Sequence, residues 1–115
     1  MTDLEMTRLS AEAMGKASIH IADIHGRMPV QADKGYIWSD AGRYDPLHDD
    51  AQAMALVKKF DLHIGKTLRT PESPRGEWFV SRTDKYEVDG TDLNRAIVEC
   101  VAKIQAASPK AGEQR

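Results

Sequence analysis

The densest chemistry in this chain is the stretch YDPLHDD at residues 44–50, where His48 stands among the carboxylates of Asp45, Asp49 and Asp50. Imidazole and carboxylate groups are the ligands that hard and borderline cations take. His48, Asp49 and Asp50 are consecutive, however, and consecutive residues on a helix point about 100° apart, so all three cannot converge on one ion unaided. The same residues also have a structural use. Asp-Pro is a favoured lead into a helix, and Asp49 and Asp50 in a first turn can accept its unpaired N–H groups and complement its dipole. The spacing favours a cap.

A second group, SIHIADIH at residues 18–25, offers His20, Asp23 and His25, which His48 or His63 could join. None of these falls at the H-x-x-x-H or C-x-x-C spacing by which local geometry assembles a zinc site. The histidines are expected on the exposed side of strands, which leaves His20, Asp23, His48 and Asp49 as the metal candidates. Nucleophilic chemistry has less to work with. The one cysteine, Cys100, sits in an apolar stripe where a thiol behaves as a small hydrophobe. Gly65, Lys66 and Thr67 form only a fragment of a phosphate loop, without its upstream glycine. No catalytic residue and no cofactor are expected. Among the aromatics, Trp38, Tyr44, Trp78 and Tyr86 are the interface candidates, since tryptophan and tyrosine are enriched where proteins meet. Trp78 and Phe79 are adjacent, so in a strand one ring faces the core and the other faces out.

These residues need elements to hold them. Thr2 followed by Glu5 is a capping pattern, Leu4, Met6, Leu9, Ala13 and Met14 follow, and Gly15 suits a left-handed terminator, so a first helix is predicted. ASIHIADIH, RMPVQ and GYIWS read as strands or fragments of strands, Pro29 pushing the middle one to an edge or bulge. Leu47, Ala51, Met54 and Val57, with Leu56 and Phe60 slightly off the stripe, predict a second helix ending near Asp61. DLHIGKTL and GEWFVSRTDKYEV supply two or three further strands around the loop RTPESPRG. Leu93, Ala96, Ile97, Cys100, Val101 and Ile104 predict a last helix with one apolar face, capped by Thr91 or Asp92. The strand segments lie too close together for parallel crossovers, so the expectation is an α+β fold: a compact two- or three-layer sandwich of three helices on a small, mostly antiparallel sheet. Residues 1–107 form one domain, and SPKAGEQR, 108–115, is expected to be a flexible tail.

Composition excludes some function classes. With 115 residues the chain accommodates one modest core. Sixteen basic against eighteen acidic residues, a formal charge of −2, leave no electrostatic footprint for nucleic acid. No apolar run approaches the roughly 20 residues that span a bilayer, and the acidic start MTDLEMTRLS does not read as a signal peptide. A cytoplasmic protein without nucleic-acid or membrane partners is expected.

The run YDPLHDDAQAMALVKKF, the W and VS of EWFVS, the helix DLNRAIVECVAKIQ after a short acidic turn, and the start MTDLEMTRLSAEAMG together resemble the small phage-encoded proteins of the phage ABA sandwich domain type, from Thr2 to Gln105. The resemblance implies a bacteriophage or prophage origin, with the host cytosol as compartment, and a compact sandwich with helices on the two faces of a small sheet. It brings no catalytic activity and no functional residues. The expected function is therefore that of a noncatalytic phage or prophage accessory protein, a protein-interaction module or homo-oligomer. The alternatives are a metal- or small-ligand-binding protein using His20, Asp23, His48 and Asp49, or an antagonist of a host defence system.

Overall fold

Local capping chemistry sets where the helices begin and end. In the computed structural model, which describes residues 1–27, 35–66, 77–82 and 86–107, helix α1 spans Asp3–Ala13 behind Thr2, whose hydroxyl accepts the Glu5 N–H at 3.1 Å. It closes on Gly15 at φ +75°, with the Lys16 N–H returning to the Ala11 carbonyl at 3.1 Å, a left-handed terminator of the Schellman kind. Helix α2 spans Asp50–Phe60 and ends the same way, through Asp61 at φ 54° and a Leu62 N–H bond to the Val57 carbonyl at 3.0 Å. Helix α3 spans Leu93–Ala107, and Asp92 caps it by accepting the Arg95 N–H at 3.2 Å.

The strands form two sheets where one was expected. In the first, β1 (His20–Ala22), β2 (Tyr36–Ser39) and β3 (Gly42–Tyr44) lie antiparallel in that order. In the second, β4 (His63–Lys66), β5 (Trp78–Arg82) and β6 (Tyr86–Gly90) do the same. The α+β class, the three helices and the antiparallel pairing match the expectation; the sheet is divided because α2 intervenes between β3 and β4 and each half pairs only with its sequence neighbours. Strand β3 was not anticipated. It follows β2 after the two-residue turn Asp40–Ala41, in which Ser39 Oγ accepts the Ala41 N–H at 3.2 Å and Gly42 takes φ +114°, a conformation that favours glycine. The expected strand RMPVQ apart from Arg27, the loop RTPESPRG and the tail 108–115 lie outside the described residues.

Helix α3 is the centre of the fold, touching β5 and β6 of the second sheet as well as α1 and α2. One apolar face was expected there, yet Val98 and Ala102, which lie off that stripe, are buried with it. Arg95 and Lys103 are exposed and Glu99 lies between them, a narrow polar stripe at four-residue spacing. Helix α1 packs closely on α3: Met6 is buried in the same core as the α3 residues, and the buried Ser10 has its Oγ facing the Val98 carbonyl at 3.5 Å. Met6, Leu56, Val80, Val88 and the buried residues of α3 make the main core. Ala11, Ile37 and Tyr44 make a second, smaller one between α1 and the first sheet.

The face of α2 is a correction. Ala53 and Leu56 point inward, at 1% and 0% exposure, whereas Ala51 and Met54 of the predicted stripe lie outside, Met54 at 44%. The helix has apolar residues on both sides, and periodicity does not say which side α3 will cover.

Candidate functional site

The chemistry-bearing residues prove to be dispersed, each with local work. Asp49 is the N-cap of α2, its carboxylate accepting the Gln52 N–H at 3.0 Å. Asp50, in the first turn, accepts a hydrogen bond from the Asn94 amide at 2.8 Å and so ties the starts of α2 and α3 together. His48 turns away from both and meets the Asp45 carboxylate at 3.0 Å. Asp45 had been counted among the local carboxylates but not as the partner of His48, although its three-residue spacing from His48 across Pro46 is a signal that could have found the pair.

In the second group, Asp23 Oδ1 accepts the N–H groups of Arg27 at 2.8 Å and His25 at 2.9 Å. These bonds, that of Arg27 foremost, hold its carboxyl below the usual range. His20 Nδ1 lies 2.7 Å from the Ser18 carbonyl oxygen. His20, His25, His48 and His63 are all exposed. Among the described residues no three of His, Cys, Asp and Glu stand close enough to share a metal ion. Cys100 is fully buried, and burial pushes its thiol pKa up. Gly65 and Lys66 lie in strand β4, extended where a phosphate loop would turn.

The aromatic residues divide by burial. Trp38 donates its indole N–H to the Asp23 carbonyl at 2.9 Å and packs over Gly26. Tyr44 is a core residue at 4% exposure, so it presents no surface to a partner; its position opposite Ile37 turns the ring toward α1. The hydroxyl is buried without a hydrogen-bond partner among the described residues, and burial raises its pKa. Trp78 is half-buried with the Lys66 ammonium 5.1 Å from its ring centroid, and Tyr86 packs against the main core. Phe79, on the opposite face of β5 from Trp78 and Val80, sits over Gly65.

Two concavities among the described residues adjoin these side chains. A cleft of about 190 Å³ opens between the first turn of α1, β2 and the Asp45–His48 turn, with Leu4, Tyr36 and Leu47 among its walls. A groove of about 390 Å³ runs between the starts of α2 and α3, floored by Ala53 and Ile97 and edged by Met54, Leu93, Asp50 and Asp92. Sequence periodicity concealed the second one by assigning Met54 to the core. Among the described residues no helix is long and apolar enough to cross a membrane. No family model, no curated protein and no solved structure matches this chain.

Proposed function

We propose that this chain is a noncatalytic protein-interaction module of bacteriophage or prophage origin that works by docking on a protein partner or on a second copy of itself. The observation that carries the docking function is the outer face of α2, where Ala51 and Met54 are exposed beside the groove against α3. A methionine 44% exposed next to an apolar floor is the flexible, polarizable kind of surface used for adaptable binding. The origin rests on the family resemblance of the four segments described above.

The docking function is tested by affinity capture with the wild-type chain and with Met54→Asp. Because Met54 is exposed, the variant keeps its melting temperature, and every partner that docks on this face is lost from the capture. Partners retained in full by a folded Met54→Asp protein would remove α2 from the function. The origin is tested by the genes flanking the coding sequence, which are those of a phage or prophage if the resemblance holds.

A further inference from the structure

We infer that the outer face of α2 pairs with the same face of a second copy, the two helices antiparallel about a two-fold axis that passes beside Met54 and Ala55. The inference rests on the docking function proposed above and names the partner.

Three features of α2 point to a second copy. The outward side of the helix, opposite Ala53 and Leu56, is made by Ala51, Met54, Ala55 and Lys58. Its ends are small or long and flexible, and its middle is apolar, so two such faces can approach closely at the centre. The charge is antisymmetric about that centre: Asp49 and Asp50 stand at the start of the helix and Lys58 and Lys59 in its last turn. Antiparallel pairing sets Ala51 of one copy against Lys58 of the other. The Lys58 stem then crosses the small alanine and its ammonium reaches Asp50 of the second copy. Parallel pairing would set aspartate on aspartate and lysine on lysine, so the sequence selects one orientation.

The groove completes the fit. Met54 of each copy lies on the α3 side of its helix, and a two-fold axis across the pair brings both methionines to that same side, beside the apolar floor of Ala53 and Ile97. An eleven-residue helix is only about 16 Å long. One helix pair of that length covers less than the roughly 1,200 Å² of a stable interface, so the dimer forms and dissociates with concentration.

Sedimentation velocity of the full chain from about 10 μM to about 1 mM tests this. The expected result is a sedimentation coefficient that rises with concentration toward that of a dimer and rises less at high salt, since the Lys58–Asp50 contacts are exposed. Met54→Asp weakens the dimer at least about tenfold, the loss expected when a central apolar contact is replaced by a charge. Lys58→Glu, at an exposed position that does not threaten folding, weakens it as well. A chain that remains monomeric at the highest concentration, or a dimer indifferent to both variants, overturns the pairing. A monomeric wild type that still captures a different protein through Met54 overturns the pairing alone and leaves the docking function standing. If that capture too is indifferent to Met54→Asp, both fail.

Discussion

The ring of Phe79 occupies the space above Gly65, its cross-strand partner in the second sheet, so that a Cβ at position 65 would overlap the ring edge. The glycine leaves a seat on the outer face of the sheet, and the aromatic side chain fills it from the neighbouring strand.

Gly65→Ala is therefore expected to lower stability by about 1 to 3 kcal/mol, the usual cost of forcing a packed ring off its position. In a Phe79→Ala background the same substitution has nothing to displace and costs little. Denaturant titration of the four proteins in this cycle measures the coupling, and simple additivity of the two single changes would show that ring and glycine do not interact.

Cys100→Ser should destabilise by about 1 to 3 kcal/mol, because it places a hydroxyl in a fully buried apolar setting. The pH dependence has a definite sign. Burial raises the folded thiol's pKa, so the folded state keeps its proton where the unfolded chain has lost it. This contribution is complete below about pH 8.5 and is lost as pH rises through the folded pKa. Equilibrium unfolding between neutral and alkaline pH, compared with the serine variant, isolates it. Rapid thiol labelling of the folded wild type would contradict the burial.

Tyr44→Phe is expected to be neutral or to stabilise by about 1 kcal/mol, since it deletes a buried hydroxyl that has no partner among the described residues and keeps the ring that packs on Ala11 and Ile37. A thermal melt decides this. A marked loss of stability would mean that the hydroxyl is satisfied in solution.

Asp49→Ala should cost about 1 kcal/mol through loss of the bond to the Gln52 N–H, while Asp49→Asn retains the bond and loses only the charge to dipole attraction, about 0.3 to 1 kcal/mol at low salt. Added salt should shrink the difference between wild type and the asparagine variant. Melting curves with and without a chelator make the comparison complete, and a chelator effect confined to the wild type would make Asp49 a metal ligand.

How much of this was legible in the sequence depended on how local the physics is. The caps at Thr2, Asp49 and Asp92 and the left-handed stop at Gly15 follow from hydrogen bonds within a few residues, so the chain order alone determined them. The stripe of α3 was equally plain because its apolar residues are concentrated and its helix is long. Only the tertiary structure decided that Val98 and Ala102 are buried too, since that requires α1 to pack closely on α3, where Ser10 faces the Val98 carbonyl. It decided which side of α2 is inside, because alanine and methionine at 51 and 54 satisfy the same period as alanine and leucine at 53 and 56. It also separated His20, Asp23, His48 and Asp49 into a strand, two turns and a cap, and it buried Tyr44, one of the interface candidates. Distance along the chain carries hydrogen bonds of three or four residues. Which faces meet is fixed by pairings between segments far apart in sequence, and those exist only once the chain has folded.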